Sequence, residues 1–188
     1  MKRNSSIEVA RCPYVYGPEE DSELLLQAVQ DVTGLRVLEM SCGTGFVALH
    51  CADAGASVVA TDLDPLAVRC TSANAQRNGM KVEVRESDLF TAVPDAFDLI
   101  IFNPPYLEGE VKGQEDLSWA GGAGGLDILT RFLQEAPVHL LPGGRILIVV
   151  SSDMEPHRLQ ELLLPFQQCE CTRTVLFFET LRVLQLNL

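Results

Sequence analysis

The sequence contains no run of lysine and arginine, no cysteines at metal-ligand spacing and no apolar stretch near the length of a membrane span. Each absence narrows the function. Fourteen basic side chains against twenty-six acidic ones leave a formal charge of −12. A surface this acidic repels phosphate backbones and offers few groups for counterion release, so direct nucleic-acid binding is not expected. The longest clean apolar runs, such as Ile146 to Val150, are strand-sized, far below the ~20 residues of a membrane-spanning helix. The amino terminus, Met1 to Ser6 followed by Ile7 to Arg11, has no apolar stretch of signal-peptide length, and the expectation is a cytoplasmic protein with no membrane contact. The cysteines, at 12, 42, 51, 70, 169 and 171, form no CxxC pair, and His139 and His157 stand away from them. They read as reduced, mostly buried thiols, and no metal site is expected.

Repeats, low-complexity tracts and linkers are also missing, and at 188 residues the chain fits one domain. With 47% hydrophobic residues it can build one continuous core. Short β-type apolar runs alternate with helical stretches. Strands are expected at Leu35 to Met40, Ser57 to Thr61, Lys81 to Glu86, Phe97 to Phe102 and, after a Pro142-Gly143-Gly144 turn, Arg145 to Val150. Helices are expected at Phe46 to Ala54, Pro65 to Asn78, Leu126 to His139 and Pro156 to Phe166. Two closing strands, near Thr172 to Phe178 and Thr180 to Leu186, lack a helix between them and read as a hairpin. The result is an α/β fold with a seven-stranded, mostly parallel sheet and a C-terminal antiparallel hairpin. Glycines and acids cluster after the ends of the first four strands, where open α/β sheets bind ligands.

The first of these clusters is Glu39-Met40-Ser41-Cys42-Gly43-Thr44-Gly45. Gly43 and Gly45 allow a tight turn and close approach of backbone to ligand. The second strand ends at Asp62, close to the ~20-residue offset at which a carboxylate meets ribose hydroxyls. Asp64 precedes Pro65 and reads as a helix N-cap instead. Asp88, after the third strand, could accept from an adenine amino group, with Leu89 against the ring. Glu39 would be costly at the end of a buried strand unless a cation paired it. A nicotinamide dinucleotide would prefer three glycines opening on its pyrophosphate. An acid at the start of an SxGxG loop suits a cationic, phosphate-free ligand, S-adenosylmethionine (SAM).

After the fourth strand comes Asn103-Pro104-Pro105-Tyr106. Two prolines stiffen this loop and remove two amide donors. The Asn103 side-chain oxygen and the Pro104 carbonyl can each accept one hydrogen of an –NH2 group, and Tyr106 can stack on a flat acceptor. An amide nitrogen is a poor nucleophile, so orienting its lone pair supplies positioning rather than a strong base.

These motifs resemble the HemK/PrmC class of glutamine methyltransferases, in its short archaeal–eukaryotic branch. The likeness extends from Val15-Tyr16-Gly17-Pro18-Glu19-Glu20-Asp21-Ser22 through the glycine loop, Asp62, Asp88-Leu89 and Asn103 to Tyr106. It continues through Trp119-Ala120-Gly121-Gly122 with Gly125 to Glu179-Thr180-Leu181. The resemblance implies a Rossmann-like class I SAM-dependent methyltransferase, one domain over residues 1–188, with residues 1–34 contributing to the cofactor pocket. It implies cofactor contacts from Tyr16, Ser22, Glu39, Ser41, Gly43, Gly45, Asp62, Leu63, Asp88, Leu89 and Asn103. Asn103, Pro104, Pro105 and Tyr106 would hold the substrate. The implied substrate is the glutamine of the GGQ loop in a class-I translation termination factor. A small zinc-binding activator protein is the implied partner, and Lys81 to Glu86, expected at a sheet edge, could receive a strand from it. Ser41 stands where the family usually carries glycine; the turn tolerates it at negative φ and is strained at positive φ. Two other readings stay open: methylation of adenine, lysine or another amine, and a non-catalytic SAM-binding subunit.

Overall fold

The computed structural model describes every residue except Val111, Gln114, Glu115, Leu117 and Ser118. Among the described residues the elements run α1 (Glu20–Ala28), β1 (Arg36–Met40), α2 (Phe46–Asp53), β2 (Ser57–Asp62), α3 (Pro65–Arg77), β3 (Val82–Glu86) and β4 (Phe97–Phe102). There follow α4 (Asp127–Glu135), β5 (Leu140–Ser151), α5 (Pro156–Leu163), β6 (Gln167–Val175) and β7 (Thr180–Asn187), with short 3-10 turns before and after α4. The strands form one seven-stranded sheet in the order β3-β2-β1-β4-β5-β7-β6. The first five are parallel, and β7 pairs antiparallel with both β5 and β6. This is the expected α/β architecture, hairpin included, and β3 is an edge strand.

Alternation along the central strands explains the layering. Leu38, Met40, Ile100 and Phe102 pack one face of the sheet against Phe132 and Leu133 of α4 and Leu159 and Leu163 of α5. Val37, Leu99 and Ile101 face the other way, onto Leu24 to Leu26 of α1 and Phe46 to Ala48 of α2. Apart from Arg36 at the start of β1 and the half-buried Asp98, both faces of β1 and β4 are buried, as βαβ crossovers require.

Several boundaries differ from the sequence-based expectation. Helix α1 was not expected, because an acid-rich start hides its apolar face; Glu20, Asp21 and Glu23 instead offset the helix dipole in its first turn. Pro142-Gly143-Gly144 was expected as a turn but lies inside β5, where the register against β4 shifts between Phe97 and Leu99 and Gly143 takes φ 79°. Glycines at a bulge can stay in a strand. Strand β6 begins at Gln167 rather than near Thr172, and α5 stops at Leu163, before Pro165.

The cysteines also require correction. Cys12 and Cys70 are joined in a disulfide, and Cys169 and Cys171 are exposed; only Cys42 and Cys51 are buried free thiols. Spacing rules miss such a pair because it is separated by 58 residues. Residues 8–12 run along α3 as a strap. The Ala10 amide donates to Asn74 Oδ1 at 3.0 Å, and Asn78 Nδ2 donates to the Glu8 carbonyl at 2.9 Å. The thiols therefore lend no support to a reducing compartment. Closing a loop of this length stabilises by about 4 kcal/mol in the chain-entropy account. Dithiothreitol is accordingly expected to lower the thermal midpoint by about 10 °C, and Cys12→Ser to make the midpoint insensitive to reductant. A midpoint that reductant leaves unchanged in the parent protein contradicts the cross-link.

Candidate active site at the carboxyl ends of the strands

The glycine loop leaves β1 and reverses into α2, with Gly45 as N-cap at φ 79°. A Cβ there would stand 2.7 Å from Thr71 Cγ2, so only glycine lets α2 start against α3. Asp62, at the end of β2, binds this loop: its Oδ2 accepts the Gly43 amide at 2.9 Å and its Oδ1 the Asp64 amide at 2.9 Å. Burial raises its pKa, while the same amide bonds act to lower it. Asp64 caps α3 by accepting the Leu66 amide at 2.8 Å, the role expected for it. Ser41 sits at φ 56°. The conformation that glycine adopts freely is thus held here by serine, and the strained alternative is the one realised.

Glu39 is buried, and its Oε2 accepts the Ala48 amide of α2 at 2.8 Å. Burial pushes its pKa up to about 8, and the charge of Asp62 adds to the rise. No cationic side chain lies against it among the described residues, so the costly unpaired acid anticipated from the sequence is present, and burial favours its protonated form.

On the acceptor side, β4 delivers Asn103 and a stiff Pro104-Pro105 turn. Asn103 Nδ2 donates to Asp21 Oδ2 at 2.9 Å, whereas its Oδ1 is shielded from solvent with no hydrogen-bond partner among the described residues. The Tyr106 phenol is half-buried, and burial followed by the carboxylates of Asp21, Glu179, Asp153 and Glu19 raises its pKa, so it stays neutral. The segment carrying Trp119 packs beneath this turn. Leu107 N–H donates to the Trp119 carbonyl at 3.0 Å and Gly121 N–H to the Leu107 carbonyl at 2.8 Å. A Cβ on Gly125 would overlap the Tyr106 carbonyl, which explains the glycine there.

Most of the expected residues converge on one cavity of about 320 Å³. Tyr16, Ser41, Gly43, Asp62, Leu63, Asp88 and Leu89 line it on one side, and Asn103, Pro104, Pro105 and Tyr106 on the other. A narrower space of about 30 Å³ opens beside it, lined by Ser22 and Glu39 and sharing Tyr16, Ser41, Gly43 and Asn103. Gly45 lines neither and acts through the start of α2. Asp88 is not free in this arrangement, since Arg131 of α4 holds its Oδ2 at 2.9 Å. Arg131, Glu19, Asp21 and Ser87 line the main cavity and were not expected as site residues. No motif marks Arg131, whereas Asp21 lies inside the Val15 to Ser22 segment, of which only Tyr16 and Ser22 were expected at the cofactor.

A family profile described as "Methyltransferase small domain" matches residues 16–181. The chain belongs to this family. It is 41% identical over 145 residues to the putative protein N5-glutamine methyltransferase MJ0928 of Methanocaldococcus jannaschii, covering 74% of each chain. It is 34% identical to the ribosomal RNA small subunit methyltransferase C of Chromohalobacter salexigens, covering 72% of this chain and 37% of that one. It is also 34% identical to the release factor glutamine methyltransferase of Cereibacter sphaeroides, covering 72% of this chain and 53% of that protein. The chain thus spans about half or less of the length of these last two relatives. Among solved structures, the E. cuniculi Mtq2-Trm112 complex, described as responsible for methylation of the eRF1 translation termination factor, superposes with TM-score 0.74. Identity there is 20%, with coverage of 92% of this chain and 98% of that one, a likeness of fold.

Ser41→Gly should relieve a left-handed backbone strain of about 1 kcal/mol. The expected result is a higher or unchanged denaturant midpoint at unchanged m-value, since glycine adds unfolded-state entropy worth roughly 0.5–1 kcal/mol; a midpoint lowered by that full amount shows that Ser41 is not strained.

Proposed function

We propose that this chain is a SAM-dependent methyltransferase whose acceptor is the side-chain amide of glutamine in the GGQ loop of a translation termination factor. The observation that carries the reading is Asn103 Oδ1, a shielded oxygen without a partner at the end of the central strand. Leaving such an atom unsatisfied costs about 1–3 kcal/mol, which an incoming N–H recovers. Its neighbours favour a flat acceptor: a proline-stiffened turn and the neutral ring of Tyr106. Relatives named as protein-glutamine and release factor glutamine methyltransferases support the same substrate class.

The residues on the cofactor side fit SAM. Glu39, a buried carboxylate without a cation, suits its amino group; Asp62 suits ribose hydroxyls; Leu89 and Leu63 suit the adenine faces. Asp88, shared with Arg131, keeps the adenine role only alongside that ion pair. When bound, SAM supplies an electrophilic methyl on a sulfonium whose thioether leaves with the bonding electrons. Asn103 Oδ1 takes one N–H of the acceptor and aims the nitrogen lone pair toward that methyl. The new N–C bond forms, and the nitrogen releases one proton to water as the neutral N-methyl amide. This is catalysis by orientation and fixed dipoles.

A small zinc-binding activator remains part of the proposal, with β3 as its docking edge. Val82 to Glu86 pairs with β2 alone, leaving its outer backbone row for an added strand. The ribosomal RNA relative keeps a nucleobase amine as the second reading, against which the charge of −12 weighs.

The test is transfer of labelled methyl from SAM to the factor and to its GGQ-to-GGA variant, with and without the activator. Label in the parent factor alone is the expected outcome; label in neither, with ribosomal RNA labelled instead, moves the acceptor to a nucleobase. Asn103→Ala is expected to cut transfer at least about 100-fold with SAM affinity nearly intact, and full activity contradicts the mechanism. Glu39 adds a pH signature. Its folded pKa of about 8 means it holds a proton at neutral pH, and an ammonium seated beside it favours the carboxylate. SAM binding must then expel that proton, so affinity should rise from pH 6 toward 8, by at most about tenfold per unit. Glu39→Gln should flatten the rise; a parent affinity that is flat or falls over this range contradicts proton release by Glu39 on SAM binding.

A further inference from the structure

Asp21 lies in the first turn of α1, 82 residues from Asn103 in sequence, and is 4% exposed. Every contact its carboxylate makes is an accepted hydrogen bond. Oδ2 takes the Tyr16 hydroxyl at 2.8 Å and Asn103 Nδ2 at 2.9 Å. Oδ1 takes the Ser22 amide at 2.5 Å and the Ser22 hydroxyl at 3.2 Å. A carboxylate has no hydrogen to give, so the Asn103 amide can meet it in one sense only. Its NH2 must face Asp21, and its oxygen must therefore point away.

We propose that Asp21 is the positioning residue that sets the sense of the Asn103 amide, presenting oxygen rather than NH2 to the acceptor nitrogen. The inference deepens the amide-acceptor reading and rests on it. An asparagine side chain is nearly symmetric in shape, and packing alone distinguishes its two ends poorly. With the amide turned over, two NH2 groups would face each other and the acceptor would be repelled. The partner's chemistry removes that state. Tyr16 completes the arrangement by donating to the same Asp21 oxygen, which gives the segment before β1 a role in the chemistry as well as in forming the cavity wall.

Asparagine at position 21 cannot reproduce these contacts. Whichever way its amide lies, its NH2 meets donors, either the Ser22 amide or Asn103 Nδ2. Exchanging the two residues restores complementarity. In Asp21→Asn/Asn103→Asp the amide at 21 donates to the carboxylate at 103 and its oxygen accepts the Ser22 amide. The Tyr16 hydroxyl then accepts instead of donating, and the second oxygen at 103 still faces the acceptor.

Two readouts test this. The first is kinetic, with labelled SAM and a glutamine-bearing termination factor. Asp21→Asn should lower kcat about 100-fold or more with SAM affinity changed less than twofold, and the exchange variant should recover at least about tenfold of that loss. The second needs no substrate: the side-chain 15N–1H2 signals of Asn103, assigned by their disappearance in Asn103→Ala. In the parent protein these should exchange slowly with solvent, and in Asp21→Asn they should shift and lose protection. Freely exchanging Asn103 amide protons in the parent protein overturn the proposal without any variant at position 21. So does an Asp21→Asn protein with kcat within twofold of the parent, or an exchange variant no better than the single one. A parent protein inactive on glutamine instead overturns the acceptor assignment, while amide protection still decides the role of Asp21.

Discussion

Strands β1 and β4 lie side by side at the centre of the sheet, and the chain leaves them in opposite directions, toward β2 on one side and β5 on the other. No crossover helix can cover the crevice between their carboxyl ends, so the loops that leave them face each other across it. One of these loops carries Glu39 to Gly45 and the other Asn103 to Tyr106. A donor for transfer and its acceptor must lie within a few ångströms of each other, and this single topological reversal supplies that proximity. The helices, the edge strands and the hairpin serve mainly to keep the carboxyl-terminal halves of β1 and β4 buried.

Position in the sheet also explains which parts were legible in the sequence. Phe97 to Phe102 reads as a central strand because both of its faces must be apolar. Asp62 and Asn103 could be placed because they directly follow such strands. Features governed by distant partners were not legible. Cys12 and Cys70 meet only because a strap crosses α3, and no local spacing records that crossing. Arg131 reaches Asp88 from a helix 43 residues away in sequence. Helix α1 was hidden by its own acids, which suit a helix start yet dilute the apolar pattern. Pro142-Gly143-Gly144 has the composition of a turn, and only the mismatch in register with β4 explains its place inside β5.

The site is assembled from locally unfavourable parts. Glu39 is buried and Asp62 half-buried near it, each with a raised pKa. Ser41 and Leu89 adopt positive φ beside the cavity. Asn103 Oδ1 lacks a partner. Each departs from what a stable core would choose; under the proposed function a cation would pair Glu39, ribose hydroxyls would meet Asp62 and an amide hydrogen would meet Asn103 Oδ1. Strain and unsatisfied polar groups concentrated where ligands bind are the expected signature of a preorganised site. The surrounding layers, apolar on both faces of β1 and β4, offset that local cost.

The central claim is that the unpartnered oxygen of Asn103 receives an acceptor N–H. The most direct measurement is a crystal structure with S-adenosylhomocysteine and a glutamine-containing peptide bound. The account predicts the glutamine amide nitrogen about 3 Å from Asn103 Oδ1, with Asn103 Nδ2 still on Asp21 and the nitrogen facing the sulfur. An acceptor nitrogen seated elsewhere in the cavity, or an Asn103 side chain turned away from it, would contradict the account.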